Sequence, residues 1–341
     1  MMEMRFGLIG LGHHGKNGVL PAFDDPAAAG VVLTAVCDVS QANLDYVTKP
    51  VEKYLSAEEM IASGPIDAVY VAVGCDRSFD IVMAALKAGK AVICEKPLAA
   101  TAAEARLIAD EVQKRGSLFA VNFETRYGKR MEILKKWIEG GYFGKIHAIQ
   151  FDNLWDCHKT FTPTAARRAH LLSLTGGLDC GIHELDQARY LLGGSWKKVR
   201  AMGAWFEEPF TPPPHICVVG MLDNDVMISL NASLAFTANI EPREFVDNLY
   251  LAGTEGVAII QGLFSMGETT ARLTSRTRCE TITIPAGGHS SDIALLLAEF
   301  AQVWQNGPET PHKFASAEDG YQAQLATELA IQDALENAGR K

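Results

Sequence analysis

Asp179 and His183 stand four residues apart in the stretch Gly176–Asp186, GGLDCGIHELD. If Gly177 opens a helix, both side chains leave one face and address the same ligand. An imidazole titrates near neutral pH and suits proton exchange with a hydroxyl group. Lys96, in Cys94–Ala99 (CEKPLA), follows a short apolar run of strand length. A lysine at a strand end can hydrogen-bond a hydroxyl oxygen and stabilise its alkoxide character. Asp179 can anchor a neighbouring hydroxyl or tune the histidine. Together these residues suit oxidation of an alcohol carbon, where a C–H must face a hydride acceptor, a proton must leave and charge on oxygen must be held. Plainer readings exist for each. Asp179 and His183 form an ordinary i,i+4 helix pair, and Lys96 pairs with Glu95. With Asp186 the first two make a D-x₃-H-x₂-D array able to ligate a metal. Hydride chemistry with a lysine needs no metal and no other ligand set stands out, so none is assigned.

A hydride acceptor has an obvious place. Arg5–Gly15, RFGLIGLGHHG, reads as a buried strand entering a glycine-rich turn and then a helix. Gly10, Gly12 and Gly15 fit G-x-G-x-x-G: the first permits a tight turn, the second lets backbone approach a pyrophosphate, and the third packs helix on strand. The helix start offers N–H groups and a positive dipole end to phosphates. Leu11, His13 and His14 are expected to contribute backbone N–H groups there rather than ring chemistry. The next strand, VVLTAVCD, ends in Asp38, whose carboxylate would accept bonds from ribose hydroxyls and repel a 2′-phosphate, favouring NAD over NADP.

The elements that position these residues alternate between strand and helix. Strands are read at Arg5–Ile9, Val31–Cys37, Ala68–Val73, the AVIC run before Glu95, and Leu118–Asn122. AVYVAV has almost no polar residue, as in a parallel sheet buried on both faces. A helix is expected from about His14 to Phe23, with Pro21 near its end or kinking it. Ser40 is a candidate N-cap. Ser56-x-x-Glu59 and Thr101-x-x-Glu104 are capping boxes, and a further helix spans about Asp80–Ala88. This is a doubly wound α/β pattern, in which ligands bind beyond the carboxyl ends of the strands. Val73, Gly74, Glu95, Lys96 and Asn122 end or follow strands and are expected to rim the dinucleotide crevice with Asp38. Residues 1–122 are therefore assigned to a dinucleotide-binding domain and 123–341 to a second, substrate-binding and oligomerisation domain.

Beyond Asn122 the pattern changes. Arg130–Glu139 reads as an amphipathic helix ending at Gly140-Gly141. Strands are read at Lys145–Trp155, Lys197–Phe206, Ile216–Leu222, Val226–Phe236, Val246–Gly253 and Thr281–Pro285, with helices near Asp292–Gln305 and Ala317–Asn337. The aperiodic segment Asp156–Thr175, with His158, Arg167, Arg168 and His170, could be a loop over the substrate. Arg126, Trp155, His158 and Arg168, with Asp179 and His183, are the candidate substrate contacts.

Composition bounds the partners. The chain has 341 residues, 48% hydrophobic and 21% charged, with net charge −10. That excess of acid disfavours nucleic acids and anionic membranes as partners. No apolar run is long enough to span a bilayer and the first strand follows the N-terminus directly, so no signal segment is expected. Seven scattered cysteines without C-x-x-C point to reduced thiols and a cytoplasmic setting.

GLGHHG, CEKPLA and GGLDCGIHELD, with VNFETRY (Val121–Tyr127) and LAGTEGVAIIQG (Leu251–Gly262), together resemble the Gfo/Idh/MocA oxidoreductases, the group of glucose–fructose oxidoreductase and inositol dehydrogenase. The resemblance spans most of the chain. It implies an N-terminal Rossmann domain followed by an α+β domain on a large, open, mostly antiparallel sheet. It also implies NAD(P)-dependent oxidation or reduction of a sugar or cyclic polyol, with Lys96, Asp179 and His183 as the catalytic trio; His183 is assigned as base for oxidation, with Lys96 as the proton relay the alternative. Two departures stand out: Gly74–Phe79 (GCDRSF) replaces the family's usual Thr-Pro and later histidine, and Thr175 stands where a third glycine is common. Two other readings share the motifs. One is a glycosidase that keeps NAD bound and works by transient oxidation and elimination; the other is a sugar-sensing regulator without catalysis. The alternating stretch MISLNASLAF, on a sheet with one free face, implies a second subunit over that face and hence a homodimer or homotetramer.

Overall fold

The computed structural model describes residues 2–155, 174–205, 211–236, 245–262 and 267–340. The chain forms two compact units, one of residues 1–127 with 288–324 and one of residues 128–287 with 325–341.

The first unit is a six-stranded parallel sheet. Its strands are β1 (Met4–Ile9), β2 (Val31–Cys37), β3 (Glu52–Tyr54), β4 (Ala68–Val71), β5 (Ala91–Glu95) and β6 (Phe119–Asn122), in the spatial order β3-β2-β1-β4-β5-β6. This is the doubly wound order with its switch point between β1 and β4. All of β4 and β5 is buried, which is why both read as unbroken apolar runs. The helices between strands are α2 (Gln41–Tyr46), α3 (Ala57–Ser63), α4 (Cys75–Lys87) and α5 (Ala102–Arg115). Both capping boxes form: Ser56 accepts from the Glu59 N–H and Thr101 from the Glu104 N–H.

Three local features differ from the sequence reading. The first helix is not regular: Gly15–Val19 is a π-helical turn that runs into the short α1 (Leu20–Ala22). Pro21 has no N–H for the Asn17 carbonyl four residues back, and wider winding accommodates the loss. The Ser290 hydroxyl reaches that carbonyl at 3.5 Å instead. Helix α4 begins at Cys75, directly after Gly74, so the GCDRSF departure is its first turn rather than a loop. The three-residue β3 was not foreseen.

A helix near the C-terminus completes this unit. Along this helix, α8 (His289–Asn306), Ile293, Leu297 and Phe300 are buried in the same core as Phe6 and Leu8. The Phe300 and Phe6 rings lie 6.1 Å apart. The Val121 N–H bonds the Ala315 carbonyl at 2.9 Å and so satisfies part of the β6 edge.

The second unit holds an eight-stranded sheet. Its strands are β7 (Ile146–Leu154), β8 (Trp196–Ala204), β9 (His215–Leu222), β10 (Met227–Ser233), β11 (Val246–Gly253), β12 (Gly256–Gly262), β13 (Thr269–Ser275) and β14 (Cys279–Ile284). Their order is β14-β13-β12-β11-β7-β10-β9-β8; only β7 and β10 pair in parallel. The sheet is thus mostly antiparallel, as the resemblance implied. Strands β12 and β13 add to those expected; the inward residues of β13 are Thr269, Ala271 and Leu273, alternating with exposed Thr270, Arg272 and Thr274, so its apolar periodicity is weak. One face packs Ile149, Phe151, Leu230 and Leu249 with α6 (Lys129–Glu139) and α7 (Leu178–Leu192), through Leu134, Trp137 and Leu185. A last helix, α9 (Ala317–Asn337), adds Ala326, Ala330 and Ala334 to that core. On the other face Met202, Val219, Met227 and Val257 are exposed.

Candidate active site

The glycine turn is built for close backbone approach. Gly10 has φ +100°, and a Cβ there would lie 2.6 Å from the Ala72 carbonyl oxygen and 2.9 Å from a Val73 methyl. At Gly15 a Cβ would fall 2.1 Å from the Gly10 carbonyl oxygen, so helix and strand pack too tightly for any side chain. At Gly12 a Cβ would meet nothing within 4 Å. That open side is where a pyrophosphate can approach main chain, and the residues present fit a dinucleotide. Asp38 closes the turn. Its Oδ2 accepts the Leu11 N–H at 2.7 Å, and its Oδ1 accepts the Ser40 N–H at 2.9 Å and Asn43 Nδ2 at 3.0 Å. A carboxylate has about four acceptor positions, so capacity for a ribose hydroxyl remains. Ser40 is the N-cap of α2, but its hydroxyl makes no capping bond and Asp38 orients that end instead.

Glu95 ends β5 and is buried. Its Oε1 accepts the Tyr70 hydroxyl at 2.8 Å, Asn122 Nδ2 at 2.7 Å and His14 Nε2 at 3.1 Å. The His14 ring is therefore engaged with a carboxylate, beyond the backbone role the sequence suggested. The Glu95 charge holds the His14 imidazole above its ordinary pKa. Burial is the largest influence on Glu95 and pushes it upward, but the charge and hydrogen bond of His14, with the Tyr70 hydrogen bond, act the other way and the net displacement is downward. Lys96 follows Glu95 directly, and Val73 and Gly74 join β4 to α4.

Glu124, in the 3₁₀ turn Glu124–Tyr127, is buried and bonds His289 Nδ1 at 2.9 Å. Asp292, one turn into α8, is also buried; burial first, then the Glu124 charge, pushes its carboxyl up to about 7. Neither His289 nor Asp292 was singled out from sequence. They lie 165 and 168 residues from Glu124, and no local signal connects such positions. Arg126 is buried in the same unit, with Nη1 on the Lys313 carbonyl at 3.2 Å and Nη2 on Asp319 at 3.3 Å.

In the second unit Gly177 is the N-cap of α7, and Asp179 lies in its first turn with His183 one turn later. His183 is 8% exposed and Asp186 fully buried. The helix is anchored beside them. Arg130 of α6 meets Asp247 of β11 at 2.6 Å, Glu184 at 3.8 Å and Gln187 Oε1 at 3.2 Å. Burial, then the Asp247 charge, raises Glu184 to about 7 against the pull of Arg130. Trp155 follows β7, its ring edge-on to Phe245 at 5.5 Å. The Trp155 Nε1 and Thr175 Oγ1 atoms are buried with no hydrogen-bond partner among the described residues. His158 and Arg168, with Arg167 and His170, lie outside the described residues.

Known proteins share the family motifs and the fold of this chain. Residues 4–123 match the family model described as "Oxidoreductase family, NAD-binding Rossmann fold", and residues 131–259 match the GFO/IDH/MocA C-terminal domain. Myo-inositol 2-dehydrogenase of Thermotoga maritima is 31% identical over 210 residues, covering 59% of this chain and 58% of the relative. The match therefore spans less than two thirds of that relative's length. An Agrobacterium radiobacter oxidoreductase, solved with NAD+, L-tartaric acid and magnesium, has the same fold: TM-score 0.82 at 20% identity, over 98% of this chain and 97% of that one. So does a levoglucosan dehydrogenase solved with NADH and levoglucosan, with TM-score 0.80 at 24% identity over 98% of both chains.

Proposed function

The chain belongs to the Gfo/Idh/MocA oxidoreductase family, and from that premise we propose that it is an NAD-dependent dehydrogenase acting on a hydroxyl of a sugar, sugar derivative or inositol-like polyol. The observation that carries the reading is the glycine turn with the Asp38 carboxylate bonded to it, on the same sheet whose β5 leads into Lys96. The N–H groups and open side of Gly10–Gly15 hold the pyrophosphate. Asp38 holds the adenosine ribose and disfavours a 2′-phosphate, so NAD is preferred over NADP. Val73, Gly74, Glu95 and Asn122 form the remaining rim. When bound, nicotinamide supplies the carbon that takes or returns the hydride.

The chain's own residues handle the proton and the oxygen. His183 takes the hydroxyl proton in the oxidising direction and returns it in the other. The Lys96 ammonium donates a hydrogen bond to a substrate hydroxyl oxygen and stabilises alkoxide character on it. Asp179 accepts from an adjacent hydroxyl and fixes the substrate's rotation. Trp155 Nε1 and Thr175 Oγ1 are buried donors of the kind a polyol satisfies; His158 and Arg168 remain candidate contacts from sequence, whereas Arg126 is buried and engaged by the Lys313 carbonyl and Asp319. The relatives named for inositol and levoglucosan support this substrate class.

The test is NADH formation across inositols, aldoses, sugar acids and glycosides, run in parallel with NADP. Lys96→Ala and His183→Ala are each expected to lower turnover by roughly 10²–10⁴ while NADH still binds. Full turnover in either variant, or glycoside cleavage without NADH accumulation, would overturn the dehydrogenase reading. A second copy of the chain on the open sheet face, in a dimer or tetramer, belongs to the same proposal. Light scattering that finds only the 37.0 kDa protomer removes it. Cytoplasmic residence is inferred from the scattered thiols, and cell fractionation checks it.

A further inference from the structure

The ionisable groups around the glycine turn include several that the chemistry above does not use. Glu95 Oε1 takes three donors. Tyr70 and Asn122 come from β4 and β6, the strands flanking β5, so the sheet itself aims the carboxylate. His14 comes from the dinucleotide turn, and it alone of the three can bring a positive charge. Its ring is seated on purpose-made space: a Cβ on Gly18, four residues on, would lie 2.7 Å from the imidazole Cε1. The His14 side chain is 42% exposed and Glu95 only 11%. The histidine therefore exchanges protons with solvent while its partner stays buried.

We propose that His14 is a positioning residue for dinucleotide binding: its imidazolium ties the glycine turn to the strand end that carries Lys96 and neutralises Glu95 beneath the phosphate-binding backbone. The inference rests on the reading that this turn holds a dinucleotide. With His14 protonated, the His14–Glu95 pair is neutral overall. With His14 neutral, a buried negative charge stands beside a turn that must receive two phosphate charges, and like charges in a low-dielectric site repel strongly. Dinucleotide binding then favours protonated His14, and by linkage affinity falls as pH rises. Other charged or titratable groups act on His14 as well: Lys96 after β5, Glu124 after β6, and His289 in the first turn of α8, with Asp292 coupled to His289 and Glu124 and Tyr70 to Glu95. Glu95 and Glu124 favour its proton and Lys96 opposes it.

The experiment titrates the full chain with NADH, without substrate, reading fluorescence between about pH 6 and pH 9, with a melting curve for every variant. In the wild type Kd is expected to rise roughly tenfold across that range, the change produced by a proton held one pH unit more tightly in the complex. His14→Gln is expected to bind about tenfold more weakly at the acid end and to show no pH step. Adding Glu95→Gln restores neutrality and recovers most of the affinity, still without a step. His289→Gln keeps most of the step, because His289 bonds Glu124 and leaves the His14–Glu95 contact intact. Should His14→Gln not fold, Gly18→Ala crowds the same ring and is expected to shrink the step. A step that survives in His14→Gln or is unchanged in Gly18→Ala overturns the proposal, as does a double variant that binds no better than the single one. A wild type that binds no NADH at any pH overturns the dinucleotide reading itself, and so is distinguishable from a failure of His14 alone.

Discussion

Among the buried carboxylates, each unit has two that are paired with cationic side chains, and the two units compensate them in opposite ways. In the second unit Asp247 and Glu184 share Arg130, and all three side chains are 5% exposed or less. In the first, Glu95 and Glu124 each receive a histidine whose side chain is 42% and 53% exposed, respectively. A guanidinium keeps its proton at any pH a protein survives, whereas an imidazole surrenders its proton near neutrality. The helix carrying Asp179 and His183 thus rests on a permanent charge, and the nucleotide turn on a removable one. The difference suits the tasks proposed for them. A helix proposed to carry catalytic side chains must hold them in one geometry, while a turn that admits and releases a charged ligand tolerates an adjustable support.

The contrast is broken most directly at Arg130. Arg130→Met leaves Asp247 and Glu184 buried without their cation, and loss of one partner of such a cluster costs about 3–5 kcal/mol. Urea denaturation of the variant should show that loss across the pH range. Combining it with Asp247→Leu and Glu184→Leu should recover most of the stability, because a well-packed apolar replacement of a buried ion cluster is often neutral or better. A loss below about 1 kcal/mol in the single variant would mean that Arg130 is not the support described.

The same contrast explains what could be read from sequence. The nucleotide-binding half declares itself locally: Gly10, Gly12 and Gly15 carry a geometric requirement, and Ser56 and Thr101 sit three residues before the acids of their capping boxes. The placement of Asp179 and His183 one turn apart on a helix was legible from their spacing. His14 was assigned only backbone, since its partner Glu95 lies 81 residues away. His289 and Arg130 were invisible for the same reason, their partners being 165 and 117 residues distant. Strand β13 escaped because an open sheet tolerates threonine and arginine on its exposed face, which weakens the apolar alternation that marks a strand. Local chemistry is encoded in neighbours; charge compensation in a folded core is settled between elements far apart in the chain.

A smaller effect sharpens the comparison from within the arginine cluster. Glu184 is raised to about 7, chiefly by burial, so between the ordinary carboxylate range and that value the folded state binds more protons than the unfolded one. Stability contributed by this group is present at low pH and declines as pH rises toward neutrality. Glu184→Gln removes the decline. The variant should gain on the wild type by on the order of 2 kcal/mol near pH 8 and gain little near pH 4. Parallel melting curves at both ends check it. Equal curves at all pH values would show that Arg130 keeps Glu184 ionised throughout.

The smallest effect lies at His289, and its sign is set by the raised pKa that the hydrogen bond and charge of Glu124 impose. A histidine raised on folding contributes stability that is complete below its unfolded value and fades as pH rises through the folded one. His289 is half exposed, so screening limits that contribution to about 1 kcal/mol or less. His289→Gln should therefore be slightly less stable than the wild type near pH 6 and equal to it near pH 9, with the deficit shrinking in high salt. Asp292, raised to about 7 by burial and Glu124, gives both proteins a downward slope over the same range. Only the difference between them isolates the histidine. A deficit that persists in alkaline solution would assign the Glu124 contact to the hydrogen bond of a neutral imidazole. The histidine-paired unit would then be as insensitive to pH at that position as the arginine-paired one, and His14 alone would carry the contrast.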